Sequence, residues 1–91
     1  MSSASKLSAA SLALTVYRVA SEGKSPVRDV TGLYSAVRLA RSIATIDGTM
    51  VNVWTADRYH RPVAFAQAGG AVLTGFGATA EEHTTLTADW S

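Results

Sequence analysis

The fold is decided by residues 31–56, which read TGLYSAVRLARSIATIDGTMVNVWTA. Between positions 31 and 44 the apolar residues recur at the i, i+3, i+4, i+7 spacing of a helix with one buried face. These residues are Leu33, Ala36, Val37, Ala40, Ile43 and Ala44. Asp29 or Thr31 is suited to cap the start of the helix, and Asp47-Gly48 to end it. Because the apolar face is narrow and rich in alanine, we expect this helix to lie close against a sheet.

The residues after the helix alternate between apolar and polar side chains, as strands do. This alternation predicts strands over 50–56, 63–68 and 71–76. Between the last two stands Gly69-Gly70, a pair that predicts a two-residue hairpin turn. We therefore expect three consecutive antiparallel strands.

The sequences before and after this region predict further strands and a short helix. Residues 12–20 favour a strand over a helix, because Thr, Val and Tyr dominate their second half, and 27–30 is suited to a short strand. Residues 79–82 match the capping box of a short terminal helix, whose apolar contacts would be Leu86 and Trp90. The expected fold is α+β: an antiparallel sheet of three to five strands, one main helix on one face, and short terminal helices.

The predicted hairpin sorts the strand residues onto two faces of the sheet. With a two-residue turn, Phe65 lies opposite Thr74, and Ala56 is taken to lie opposite Val63. The face toward the helix is then small and aliphatic: Val51, Val53, Thr55, Ala64, Ala66, Ala68, Ala71 and Leu73. The other face carries Asn52, Trp54, Val63, Phe65, Gln67, Val72, Thr74 and Phe76, joined by Tyr17 if Leu14 and Val16 point inward. A slip of one residue would exchange the faces of a strand.

Composition limits the classes of protein that need to be considered. The 91 residues suit a single domain, 1–91, with a Ser/Ala-rich segment 1–11, a core 12–78 and an acidic segment 79–91. The 47% hydrophobic and 16% charged content is that of a globular chain, and the lack of cysteine excludes disulfides and thiol chemistry. A net charge of +1 disfavours a polybasic nucleic-acid binder.

The charge is divided unevenly between the two halves of the chain. Six basic and two acidic residues give residues 1–44 a charge of +4, and two basic and five acidic residues give 45–91 a charge of −3. The two halves are either ordinary solvated surface or surfaces that pair, within one molecule or between copies. No segment approaches the roughly 20 apolar residues of a membrane span, and we expect a cytoplasmic protein without a membrane partner.

The aromatic face is the feature that points most directly to function. A large aromatic patch left in water is unusual for a soluble monomer, so the termini, a second copy or another protein should cover it. The predicted interaction surface comprises Tyr17, Trp54, Phe65, Phe76, Asn52 and Gln67. We expect a small non-enzymatic assembly module, of the kind that phages and bacteria encode. It would form a homo-oligomer or dock on a larger partner through this face or an edge strand.

The sheet aromatics supply one alternative function. A nucleic-acid-binding module would stack bases on Trp54, Phe65 and Tyr17, with arginines at the margins of that face.

The densest polar cluster, residues 57–61, supplies further candidates. Arg58, Tyr59, His60 and Arg61 are candidate contacts for a ligand or for nucleic acid, beside the plain interpretation of a polar loop. A third hypothesis is a small enzyme in which Asp57 orients His60 as general acid and base. The leading prediction, an interaction module, includes no catalytic residue and no cofactor. A metal site is not expected either, because the two histidines are far apart and no ligand-spaced pair occurs.

Overall fold

The computed structural model describes residues 12–23 and 25–90, which form an α+β fold with helices on one face of an antiparallel sheet. The strands are β1 (Val16–Ser21), β2 (Arg28–Thr31), β3 (Val51–Thr55), β4 (Pro62–Ala66) and β5 (Val72–Thr74). The two long helices are α1 (Leu33–Asp47) and α2 (Ala80–Trp90), and residues 12–14 form a single helical turn. The strand order across the sheet is β2-β1-β3-β4-β5. The predicted fold class is confirmed, and the segment 1–11 lies outside the described residues.

Helix α1 buries the face that its periodicity predicts. All six of the predicted apolar positions are buried against the sheet. The helix ends as expected at Gly48, which adopts a left-handed conformation (φ 68°) and donates its N–H to the Ala44 carbonyl at 2.9 Å. The predicted caps at the start are wrong: the N-cap is Gly32 (φ 95°), and no side chain caps the helix. Asp29 instead accepts a hydrogen bond from Arg18 at 3.0 Å.

Strand β1 confirms only the second half of the strand predicted over 12–20, because residues 12–14 are helical, and it has the opposite orientation. The predicted inward residues Leu14 and Val16 are exposed, whereas Tyr17 and Val19 are fully buried under the helices. The Tyr17 hydroxyl donates a 2.6 Å hydrogen bond to Glu82 of α2, which lies on the covered side. A buried phenol needs such a partner, so this bond sets the orientation of the strand. Tyr17 therefore does not belong to the exposed aromatic face.

The β4–β5 hairpin is one residue longer than predicted. The Gln67 N–H donates to the Ala71 carbonyl at 2.8 Å, so the loop has three residues, the last of which is Gly70 at φ 95°. Phe65 consequently lies opposite Leu73 rather than Thr74. This slip moves Leu73 onto the uncovered face, and Val72 and Thr74 onto the covered one, opposite Ala66 and Ala64.

The predicted register between β3 and β4 is wrong by two residues at Asn52, which lies opposite Phe65 rather than Gln67, and a β-bulge follows Val53. Val53 lies opposite Ala64 and Trp54 lies opposite Pro62, so Val63 is the extra residue and is buried rather than on the aromatic face. Ala56, which was expected opposite Val63, lies beyond the end of β3. Proline is tolerated at the first position of β4, where it starts the strand next to the bulge.

Helix α2 is held by the capping box that the sequence predicts. The Thr79 N–H donates to Glu82 at 2.8 Å, and the Glu82 N–H donates to the Thr79 hydroxyl at 3.2 Å. Leu86 is buried in the same core as α1, whereas the Trp90 side chain lies outside the described part of the chain. Both helices thus pack on the same side of the sheet. Within residues 12–23 and 25–90, no helix is long and apolar enough to cross a membrane.

Candidate functional site

The sheet presents its uncovered side as three rows of side chains, defined here as the open face. The register aligns Asp29, Arg18, Trp54 and Pro62 in one row across the sheet. The next row holds Ala20, Asn52, Phe65 and Leu73, and Val16 lies in the third. These nine residues come from all five strands, so the sheet itself holds the surface in place.

The apolar part of the open face lies on three neighbouring strands, β3, β4 and β5. Trp54 and Phe65 lie partly buried on neighbouring strands, and Leu73 beside Phe65 is 48% exposed. Three of the predicted interaction residues are brought together here, because Asn52 lies opposite Phe65 and precedes Trp54 by two positions on β3. Leu73 was predicted on the covered face, because Gly69-Gly70 suits a two-residue turn as well as a three-residue turn. An apolar surface of this kind is typical of an interaction site.

The corner of the open face at Trp54 carries two locally unfavourable features. Among the described residues, the buried indole N–H of Trp54 has no hydrogen-bond partner. The ring of His60 meets Trp54 edge-on, with centroids 6.3 Å apart and planes at 72°. His60 has a positive φ of 46°, which is uncommon for a residue other than glycine. Unmet donors and strained backbone concentrate at functional sites, which makes this corner part of the candidate surface.

The charges on the open face neutralise each other. Arg18 Nε lies 3.0 Å from Asp29 Oδ1 in an exposed ion pair. The hydrogen bond from Arg18 lowers the pKa of Asp29, and the same bond raises the pKa of Arg18. The face therefore offers apolar side chains flanked by a matched pair of charges.

The other predicted interaction residues lie away from the centre of this face. Phe76 follows β5 and projects into solvent with 93% of its surface exposed. Gln67 is exposed at the start of the hairpin loop, and Tyr17 is buried on the opposite side of the sheet. The aromatic surface predicted from the sequence thus separates into a sheet face and an isolated Phe76.

The polar loop 57–61 is organised mainly by its own hydrogen bonds. Asp57 Oδ1 accepts hydrogen bonds from the Thr55 hydroxyl at 2.8 Å and from the Tyr59 N–H at 3.0 Å, and these bonds lower the pKa of Asp57. The carboxylate is therefore directed to Thr55 and to backbone rather than to the His60 ring. Arg58 stacks over Tyr59 with its guanidinium 5.1 Å from the ring centroid.

Arg61, at the end of this loop, belongs to a buried network around Glu82. The sequence predicted the capping box between Thr79 and Glu82 but not the bonds of Glu82 to Tyr17 and Arg61. Glu82 is 1% exposed and accepts hydrogen bonds from Tyr17 at 2.6 Å, from Arg61 at 3.0 Å and from the Thr79 N–H at 2.8 Å. Burial would raise the pKa of Glu82, but these bonds outweigh it and the pKa is lowered. Burial and the bond to Glu82 raise the pKa of Tyr17. Through these bonds, Glu82 links α2 to Tyr17 of β1 and to Arg61 at the end of the loop that contains His60.

The described residues contain no group of three or more His, Asp or Glu side chains that could hold a metal ion. Comparisons of the chain with protein families, with curated proteins and with solved structures found no match. No function is carried over from a relative, and the open face is the strongest pointer to function.

Proposed function

We propose that this protein is a small non-enzymatic assembly module that self-associates by packing the open face of one copy against that of a second. The observation that carries the proposal is the placement of both long helices, α1 and α2, on one side of the sheet. Trp54, Phe65 and Leu73 are left on the other side, where no described helix covers them. Sheets with one apolar uncovered face commonly pack face to face, about 10 Å apart.

The dimensions of the open face predict a weak, reversible dimer. Five strands about 4.8 Å apart, with about five residues each at about 3.4 Å per residue, give about 400 Å² of plane per copy. Two copies would bury about 800 Å² in this plane, below the roughly 1,200 Å² at which standard-size interfaces begin. We therefore expect a dissociation constant in the micromolar range or weaker.

The charge on the open face supports a second copy as the partner. Because Arg18 is neutralised by Asp29, two open faces can meet without bringing unpaired like charges together. A twofold axis through the face would also place the same residues on both sides of the contact. Nucleic acid, by contrast, would need free cations beside Trp54, and Arg18 and Arg61 are both bound to carboxylates.

Sedimentation velocity over a range of concentrations tests this proposal. The test variant is Leu73→Lys, which places a charge in the apolar part of the contact in both copies and starts from a half-exposed position. The matched control is Ile46→Lys on α1, where the isoleucine is 81% exposed and lies away from the open face. We expect Leu73→Lys to weaken the dimer by roughly 30-fold or more, as loss of an interface hot spot does, and Ile46→Lys to have little effect.

Two results would contradict the proposal. One is a monomer at all concentrations of the unmodified chain, and the other is equal behaviour of the two lysine variants. Binding to mixed DNA and RNA that falls steeply with salt, and that Arg58→Ala with Arg61→Ala removes, would favour the nucleic-acid alternative instead.

A further inference from the structure

Phe76 is an aromatic side chain held out in solvent by a tightly fixed turn. It is 93% exposed, between Gly75 and Gly77. The Gly75 N–H donates to the Val63 carbonyl at 2.7 Å, and the Gly77 N–H donates to the Pro62 carbonyl at 2.9 Å. Backbone bonds to β4 thus fix the chain on both sides of the phenylalanine.

Close packing explains why the residues on both sides of Phe76 are glycines. A Cβ atom on Gly75 would lie 2.3 Å from the Pro62 carbonyl oxygen, and one on Gly77 would lie 2.7 Å from Pro62 Cδ. The turn therefore presents the phenyl ring from a rigid base. A rigid aromatic loses little conformational freedom on binding, which makes Phe76 suited to anchor a contact.

A pocket large enough for a phenyl ring lies where β2 leads into α1. Its volume is about 240 Å³, and an apolar cavity of about 150 Å³ is enough to hold benzene. Its lining includes Leu12, Ala13, Gly32, Leu33, Tyr34 and Thr85. Leu33 is buried, whereas Tyr34 is half-exposed, so the lining of the pocket reaches from the core to the solvent.

Phe76 cannot reach this pocket within its own chain. Phe76 follows β5 and the pocket adjoins β2, and these strands form the two edges of the sheet. Four strand spacings of about 4.8 Å separate the edges by about 19 Å. The aromatic side chain and the pocket are therefore available only to different molecules.

We propose that Phe76 of one copy inserts into the pocket beside Leu33 and Tyr34 of the next copy, in a head-to-tail contact. Such a contact uses two different surfaces, so each copy keeps one free end and can extend the assembly into a ring or a filament. The contact is separate from the open face and stands whether or not the open faces pair.

Two single variants isolate one such contact. Phe76→Ala removes the side chain that inserts and keeps the pocket, whereas Ser35→Trp places a large side chain at the pocket from an exposed position on α1 and keeps Phe76. Neither variant can extend head to tail alone, but together they can form one contact. Circular dichroism verifies that both are folded.

The measurement is an NMR titration of isotopically labelled Phe76→Ala with unlabelled Ser35→Trp. We expect the amide signals of Leu33, Tyr34 and Thr85 to shift in a saturable manner. The control titrant carries Ser35→Trp together with Phe76→Ala and should bind at this site roughly tenfold more weakly, or not at all.

The outcomes separate this contact from pairing of the open faces. No shift at Leu33, Tyr34 and Thr85 up to millimolar titrant would overturn the proposal. Equal shifts with both titrants would also overturn it. Shifts of Trp54 and Phe65 that both titrants produce report on the open face alone.

Discussion

Replacement of Glu82 with alanine should destabilise the protein far more than replacement of its neighbour Glu81. Glu82 is buried and accepts hydrogen bonds from Tyr17, Arg61 and the Thr79 N–H, whereas Glu81 is exposed in the same turn of α2. The two variants therefore remove the same side chain from neighbouring positions of one helix.

The magnitude follows from what the alanine leaves behind. The buried Tyr17 hydroxyl loses the carboxylate that accepts its hydrogen bond, at a cost of about 1–3 kcal/mol, and loss of the cap at Thr79 adds about 1 kcal/mol. Arg61 adds little, because its side chain is one-third exposed and water can solvate the guanidinium. The total is about 3 kcal/mol, at the lower end of the roughly 3–5 kcal/mol found when buried ion pairs are broken.

Urea unfolding followed by circular dichroism measures this difference. We expect Glu82→Ala to lose about 3 kcal/mol of unfolding free energy, which corresponds to a fall in Tm of roughly 12–24 °C for a domain of this size. Glu81→Ala should lose less than about 1 kcal/mol, since it removes only a favourable interaction with the helix dipole. If the two variants differ by less than about 0.5 kcal/mol, the buried network does not hold α2 as described.

Two further predictions concern pH and backbone packing. The folded state lowers the pKa of Glu82 below about 4.3, the ordinary pKa of a glutamate in an unfolded chain. Ionised Glu82 therefore stabilises the protein above about pH 4.3, and this stabilisation is lost as the pH falls through the folded-state pKa. Urea unfolding at a series of pH values should show that the unmodified chain is more stable than Glu82→Gln at neutral pH and that this difference shrinks in acid. A difference that grows in acid would contradict the lowered pKa of Glu82. Gly75→Ala should cost about 1–3 kcal/mol, because the new Cβ would lie 2.3 Å from the Pro62 carbonyl oxygen. Gly69→Ala is its matched control in thermal unfolding, since nothing lies within 4 Å of that Cβ, and equal losses would refute the close approach.

The sequence predicted those parts of the fold that local periodicity determines. The six apolar positions of α1 are spaced for one helix face, and all six are buried. Gly48 and the capping box at Thr79 and Glu82 also have the predicted roles, because both act within one turn of their helix.

The parts of the open face that were wrongly predicted depend on longer-range interactions. Tyr17 and Val16 alternate along β1 with similar β propensity, and the choice between them is made by a hydrogen bond to Glu82, 65 positions away. Gly69-Gly70 suits a two-residue or a three-residue loop, and the additional loop residue moved Leu73 to the open face. Asn52 and Phe65 were placed on one face correctly because the β3–β4 register was in error by two residues there, and an even slip keeps the faces. Trp54 shares that face because it lies two positions after Asn52 on the same strand.

Isotope-filtered NOE spectroscopy on an equimolar mixture of labelled and unlabelled chains tests pairing of the open faces most directly. The spectrum reports only contacts between protons of different copies. We predict contacts from the rings of Trp54 and Phe65 of one copy to open-face side chains of the other, including the Leu73 methyl groups. A mixture that sediments as dimers but shows copy-to-copy contacts only at the exposed surface of α1, such as Ile46, would contradict the proposal.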